Sequence, residues 1–343
     1  MSSEAFVRSL TEDAGCRSGF ALGEDDLIER LGADHQFVDS VTAREFIRLA
    51  STDYADAVGD LLFSLGAART KGMPPLSRRF LWKIGKEPGE IFDIWKLMEI
   101  EAYAHEYARR KLARDDSRIE IFQDLRRLMG EHEDSCLPGL ICAVDEEIAL
   151  NPFYNRELVK CDLISLSDLF HSEKLPSNDG QFFDQRFINF LDQNPEELLR
   201  MNWRQFEGLA AEWFQREGYA VNLGPGRNDG GVDLRLWKDD VSQSGPPTVI
   251  VQCKRYKDKV DRVTVKALYS DLLFEKATGA MIVTTSDISP GAKKDIRARE
   301  YPITTANIET VTSWLSEMRS PGSGFLTFED RPCKLSGQCC AAT

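Results

Sequence analysis

Histidine is scarce in this chain, with four among 343 residues, at positions 35, 105, 132 and 171. None stands at a metal-like spacing from a cysteine or another histidine, so no histidine-based zinc site is legible. His132 lies in Glu131-His132-Glu133-Asp134, the pattern of a solvated acidic turn. Paired cysteine spacing is missing as well. The eight cysteines (16, 136, 142, 161, 253, 333, 339 and 340) do not form the framework of a small secreted domain. Several sit in apolar runs, which fits reduced thiols and a cytoplasmic location. Cys333, Cys339 and Cys340 are one ligand short of a four-cysteine zinc site. The last four residues only outline a prenylation box, because threonine is not a preferred final residue and no polybasic stretch precedes it. Long uncharged apolar runs are absent, so no membrane partner is expected. The opening MSSEAFVRSLTED lacks the basic start and apolar core of a signal peptide.

A positive excess is also lacking. The net charge is −13, which argues at first sight against a phosphate-rich partner. The charge is unevenly spread, however. Residues 201–300 hold 16 Lys/Arg against 14 Asp/Glu, whereas residues 1–200 hold 24 against 38. The acidity therefore belongs to the N-terminal part, and the segment after residue 200 is mildly basic. The 42% hydrophobic and 29% charged shares are those of a globular protein, and the length favours two domains.

Residues 1–190 predict a mainly helical domain. Thr42 to Glu45 has the spacing of a capping box and opens a segment with Phe46, Ile47, Leu49, Tyr54, Val58, Leu61 and Leu62. A second helix is expected from about Ile91, with Ile94, Trp95, Met98, Tyr103 and Tyr107 at helical spacing and a basic last turn. Further helical pieces cover roughly 117–130 and 140–150. Ser172–Gly180 is the linker candidate. Residues 191–320 alternate strands with helices and predict an α/β domain with a mixed sheet, and residues 321–343 a loosely ordered tail. Within the α/β part, Asn194-Pro195 and Asn202 look like helix starts, with Gln205 completing a box after Asn202. The loop Gly224–Gly231 lacks the Gly-Lys-Ser/Thr ending of a phosphate-binding loop, and no helix follows it.

Chemistry concentrates in one stretch. Asp233 stands inside an apolar run of Val232, Leu234 and Leu236, and Lys254 ends a second run of Val249, Ile250 and Val251. Neighbouring strands would bring the two charges together. Gln252 and Lys254 are two apart on one strand and share a face, which turns Cys253 to the other. Glu207 falls beside the apolar face of the helix carrying Trp203, Phe206, Ala210, Trp213 and Phe214. A carboxylate there needs a partner, a metal or a path to solvent. A phosphodiester repels nucleophiles, so its hydrolysis needs positive charge at the phosphate and an activated water. Mg²⁺ keeps several waters and needs only one or two carboxylates. Asp233, with Glu207 as a second and the Cys253 main-chain carbonyl as a third oxygen, could supply such a site.

Four segments in order, FEGLAAEWFQREGYAV (Phe206–Val221), GRNDGGVDL (Gly226–Leu234), VQCKRYK (Val251–Lys257) and IVTTSDISPGA (Ile282–Ala292), make residues 203–300 resemble the Mrr-type restriction endonuclease catalytic domain of the PD-(D/E)xK nuclease superfamily. The resemblance covers somewhat over a third of the chain. It implies a restriction-endonuclease-like α/β domain, DNA as partner, and Mg²⁺ as cofactor with Mn²⁺ as a substitute. It also implies Asp233 as metal-binding acid, Gln252 and Lys254 as the Gln-x-Lys second half of the signature, and Glu207 as the acid of the first helix. Many relatives outside this branch carry Glu where Gln252 stands, and an amide oxygen brings no charge. Lys254 would orient the attacking water. Arg255, Lys257, Lys259, Arg262, Lys293, Lys294 and Arg297 are candidates for backbone-phosphate contacts, against the alternative of a solvated face. A role in restriction or phage defence follows from the resemblance alone. A non-catalytic binding module, or a nuclease for junctions or RNA, is the competing expectation. For residues 1–190 the sequence leaves open self-association into a homo-oligomer, a regulatory protein or a small ligand.

Overall fold

The computed structural model describes residues 1–154, 163–175, 180–226, 231–238, 243 and 245–320. The expected tail, much of the Gly224–Gly231 loop, Cys161 and part of the linker candidate lie outside the described residues. Backbone contacts group the described residues into two compact units, 1–163 and 164–320.

The first unit is helical. Helices α1 (Ser3–Ser18), α2 (Glu24–Leu31), α3 (Val38–Thr42) and α4 (Ser51–Ser64) close around one core that includes Phe6, Leu10, Leu27, Phe37, Val58 and Leu62. Helices α5 (Leu76–Lys83), α6 (Ile94–Leu112), α7 (Arg118–Met129) and α8 (Glu133–Leu150) close around a second, with Phe80, Ile100, Ala104, Leu125, Leu140 and Val144. Two details differ from the sequence expectation. Thr42 ends a short helix instead of opening a long one. The long helix starts at Ser51, where the Asp53 carboxylate accepts from the Ala50 N–H at 2.9 Å, and Phe46 is exposed. In α6 the large side chains Ile94, Trp95 and Met98 face outward, and Leu97, Ile100, Ala104 and Ala108 are buried. Small residues on the inner face let α5, α7 and α8 approach closely, and packing of that kind outweighs side-chain size as a guide to burial.

The second unit is built on a five-stranded sheet in sequential order: β1 (Ala220–Leu223), β2 (Leu234–Trp237), β3 (Val249–Lys254), β4 (Gly279–Thr284) and β5 (Ile303–Ala306). The first two pairings are antiparallel hairpin-type contacts and the last two are parallel. Parallel neighbours need a crossover, which α12 (Arg262–Glu275) and α13 (Pro290–Ala298) supply. A short α9 (Asp168–His171), α10 (Gln185–Gln193), a 3₁₀ turn over Pro195–Leu199, α11 (Trp203–Arg216) and α14 (Ile308–Met318) complete the unit. The division expected at residue 190 therefore falls inside α10.

Local chemistry explains where these helices begin. Asn202 caps α11 by accepting from the Arg204 N–H at 2.8 Å, Asp261 caps α12 through Thr264 at 2.9 Å, and Ser289 caps α13 through Ala292 at 3.2 Å. The box expected after Asn202 does not form. The Gln205 amide turns away to the carbonyls of Ser172 and Lys174, at 3.0 and 2.8 Å. Between β3, β4 and α12 the core is Ile250, Ala280, Ile282, Val265, Leu268 and Leu272, with Val232 joining it.

Candidate active site

Asp233 sits one residue before β2. Its N–H donates to the Val251 carbonyl at 2.9 Å, and its own carbonyl accepts from Gly224 at 2.8 Å, so the residue is pinned by main chain on both sides. Its carboxylate reaches across to β3, where Oδ2 accepts from the Cys253 N–H at 2.6 Å. In a strand the N–H and C=O of one residue project to the same edge. The Cys253 carbonyl is thereby directed to the edge where Asp233 lies. Asp233 is 8% exposed and Gln252 6%, so both are held away from bulk water. The Gln252 amide nitrogen donates to the Gly231 carbonyl at 2.8 Å, and its buried Oε1 has no hydrogen-bond partner.

Lys254 is half-buried at the end of β3, with Nζ 5.7 Å above the Tyr256 ring. Among the described residues no carboxylate lies within ion-pair distance of it. A lysine spent on a core salt bridge would show such a partner. The second acid, Glu207 of α11, is buried and receives the Arg204 guanidinium at 2.7 Å. An edge position reaching solvent is thereby set aside. Arg204 in turn leans on Gly226, where φ is +85° and an added Cβ would meet Nη1 at 3.0 Å. Burial pushes the Cys253 thiol well up, and the negative charges of Asp233 and Glu207 push it further, against the pull of Lys254. The half-buried thiol thus lies within the field of all three charged site residues.

The basic residues separate into two groups. Arg262 is clamped on Asp295 through two bonds of 2.6 and 2.9 Å, and the pair holds α12 to α13. Arg255 donates to the Leu199 carbonyl at 3.0 Å, and its buried Nε has no partner. Lys293 pairs with Asp287 at 3.0 Å, with Lys259 near the same carboxylate at 3.9 Å. Lys257, Lys294 and Arg297 are exposed, with no ion-pair partner among the described residues. Sequence reading passed over Arg204 and Asp271. The latter is a half-buried acid of α12 whose carboxyl is raised by burial and by Glu275. Its signal was a carboxylate directly before Leu272 on the buried side of α12.

Among the described residues no group of three or more His, Cys, Asp or Glu side chains is arranged to hold a metal. The oxygen donors near β3 are instead mixed in type: the Asp233 carboxylate, the Cys253 carbonyl and the orphaned Gln252 Oε1. A buried oxygen left without a donor is costly and fits a cation as partner. The donor set is all oxygen, which suits Mg²⁺ or Mn²⁺. A separate cleft of about 690 Å³ in the helical unit is lined by His105, Arg109, Asn151, Phe153 and Tyr154 and holds none of these groups.

With this geometry in hand, comparison with known proteins is decisive for the second unit. Residues 198–315 match the family model of the Mrr catalytic domain, described as "Restriction endonuclease". This segment is a restriction-endonuclease domain of the Mrr type. The mixed five-stranded sheet flanked by helices is the corresponding restriction-endonuclease-like fold. Two curated relatives align with parts of the chain. The "Uncharacterized protein y4cE" of Sinorhizobium fredii (strain NBRC 101917 / NGR234) is 30% identical over 100 residues, covering 29% of this chain and 26% of the relative. The "Type IV methyl-directed restriction enzyme EcoKMrr" of Escherichia coli (strain K12) is 28% identical over 132 residues, covering 36% of this chain and 42% of the relative. The matches thus span well under half of either relative. Among solved structures, the MspJI restriction endonuclease in complex with a 27-mer oligonucleotide superposes with a TM-score of 0.29 at 17% identity, over 55% of this chain and 45% of that one. The Mrr-type segment contains Glu207, Asp233, Gln252 and Lys254. No helix among the described residues is long and apolar enough to cross a membrane.

Proposed function

We propose that the chain hydrolyses DNA phosphodiester bonds in a divalent-cation-dependent reaction centred on Asp233, Gln252 and Lys254, in restriction or anti-phage defence. The observation that carries the reading is the Asp233 carboxylate docked on the Cys253 N–H, between Gln252 and a Lys254 that has no ion-pair partner among the described residues. Mg²⁺, or Mn²⁺ in its place, would be held by Asp233, the Cys253 carbonyl and Gln252 Oε1, with Glu207 as the second carboxylate. When bound, the ion supplies positive charge at the phosphate and acidifies a water. The chain's own residues do the rest. The Cys253 N–H fixes the Asp233 carboxylate, so no reorganisation is needed when charge develops. The Lys254 ammonium has three donors and, among the described residues, no competing carboxylate. It can therefore orient the attacking water and offset charge building on the phosphate oxygens. Lys257, Lys294 and Arg297 are the cations available to backbone phosphates. Lys259 and Lys293 share Asp287, and Arg255 and Arg262 hold the fold together.

EcoKMrr is named as a methyl-directed enzyme, so methylated DNA is the first substrate to offer. The acidic helical unit is proposed as the sensor or regulator, through a small ligand, a protein or self-association. The test is cleavage of methylated and unmethylated plasmid with and without Mg²⁺ or Mn²⁺, by wild type and by Asp233→Ala and Lys254→Ala. The expected result is metal-dependent cleavage that both substitutions abolish while the circular dichroism spectrum is kept. Undiminished cleavage by both variants would overturn the site. A non-catalytic binding module would bind DNA and cut under none of these conditions.

A further inference from the structure

The Gln-x-Lys form creates a problem that a carboxylate does not have. A glutamate presents two equivalent oxygens, but a glutamine presents an oxygen on one side and an NH₂ on the other. Only one orientation leaves an oxygen for a cation. Something must choose between them, and Gln252 is too buried for water to do it.

The surroundings of the amide are one-sided. Its nitrogen donates to the Gly231 carbonyl at 2.8 Å, which uses one of its two protons. Gly231 has φ of +91°, and its bare face is the place where the second acceptor approaches. A Cβ added there would lie 3.4 Å from Gln252 Nε2 and 3.5 Å from Asp271 Oδ2. The Asp271 carboxylate therefore flanks the same glycine as the amide nitrogen, on the α12 side. It makes no hydrogen bond or ion pair with any described residue. Oε1, at the other end of the amide, is buried without a partner. The Gly231 carbonyl takes the NH₂ directly, and the Asp271 carboxylate, near the same glycine without a hydrogen bond to the amide, favours NH₂ over C=O on that side through its field.

We propose that Asp271 is a positioning residue which, together with the Gly231 carbonyl, fixes the Gln252 amide with its nitrogen toward Gly231 and its oxygen turned away from it. The consequence for cation binding rests on the nuclease reading above, but the orientation itself does not. Gly231 is part of the device. Its positive φ and absent side chain leave room for both the amide and the carboxylate beside it. The device also accounts for a neutral side chain at a position where a carboxylate looks like the stronger ligand. A glutamate at 252 would press its second oxygen on the Gly231 carbonyl and add a like charge beside Asp271.

A double-mutant cycle on the metal-free, full-length protein tests this. Thermal unfolding is followed for wild type, Gln252→Glu, Asp271→Asn and the double variant. Gln252→Glu is expected to lower the midpoint by several degrees, Asp271→Asn to change it little, and the double variant to regain at least half of the loss. Equal losses from Gln252→Glu in both backgrounds, or no loss at all, would overturn the assignment. Mn²⁺ titration calorimetry at fixed pH supplies the second readout. Asp271→Ala is expected to bind Mn²⁺ several-fold more weakly, because the amide is then free to turn its nitrogen inward, and unchanged affinity would count against the proposal. Wild-type protein that bound no Mn²⁺ would overturn the nuclease reading of the site, while the thermal cycle would still decide whether Asp271 orients the amide.

Discussion

Helix α11 buries a carboxylate near each end, and the two are held by different kinds of partner. Toward its C-terminal end, Glu212 accepts from the main-chain N–H groups of Gln181, Phe182 and Phe183 at 2.9, 2.8 and 3.3 Å, and from Arg216 at 2.9 Å. Toward its start, Glu207 is matched by the side chain of Arg204 at 2.7 Å. Main-chain donors cannot leave, so Glu212 is committed to tying residues 181–183 to the helix. A guanidinium on a flexible stem can swing aside, so the Arg204 contact of Glu207 is exchangeable in a way that the main-chain contacts of Glu212 are not. The difference teaches that burial alone does not distinguish a structural acid from a working one. Under the proposed function, the mobility of the partner does.

The contrast can be broken in order of effect. Glu212→Ala strands three N–H groups and a guanidinium, and should cost about 3–5 kcal/mol in denaturant unfolding of the second unit. Glu207→Gln keeps an acceptor for Arg204. It should stay within about 1 kcal/mol of wild type in stability while weakening Mn²⁺ binding about tenfold, or about 1.4 kcal/mol. A Glu207→Gln variant as unstable as Glu212→Ala would erase the distinction between the two ends. The same division applies to the cations. Replacing Lys294 or Arg297 by alanine should lower the salt dependence of DNA binding by about one unit of slope each. Arg262→Ala, which removes the clamp on Asp295, should reduce stability and leave that slope alone. The smallest effect is expected in the helical unit. His35 lies 3.5 Å from Asp60, and burial holds its pKa below the ordinary value, Asp60 opposing and Lys71 assisting. The unfolded chain therefore binds the proton more readily. Stability from the neutral ring is complete above about pH 6.5 and is lost as pH falls below it. Replacing His35 by glutamine should flatten the pH 7.5 to 5.5 loss of stability by no more than about 1 kcal/mol.

The parts legible in the sequence were those with local causes. Strand alternation placed Gln252 and Lys254, apolar runs placed β2 and β3, and a single capping residue, Asn202, placed the start of α11. The pairing of the strand after Asp233 with the strand that ends in Lys254 was legible because a charge beside an apolar run is costly to bury and stands out from its neighbours. What escaped depended on distant partners. Nothing near Arg255 in the chain reveals the Leu199 carbonyl, and nothing near Arg262 reveals Asp295. Asp271 escaped for the same reason, since its meaning comes from a glycine 40 positions earlier. The outward face of α6 escaped because helical spacing marks a stripe without telling which side packs.

The anchor of Asp233 is a peptide N–H, and that places it beyond the reach of most mutation. Any residue except proline at position 253 supplies the same donor, so the side chain there can drift between cysteine, alanine, valine or serine while the acid stays in place. The site is thereby robust to the commonest kind of genetic change along its own strand. Under the proposed function, its weak points lie where a side chain is irreplaceable, at 233, 252 and 254, or where the lack of one is, at Gly231.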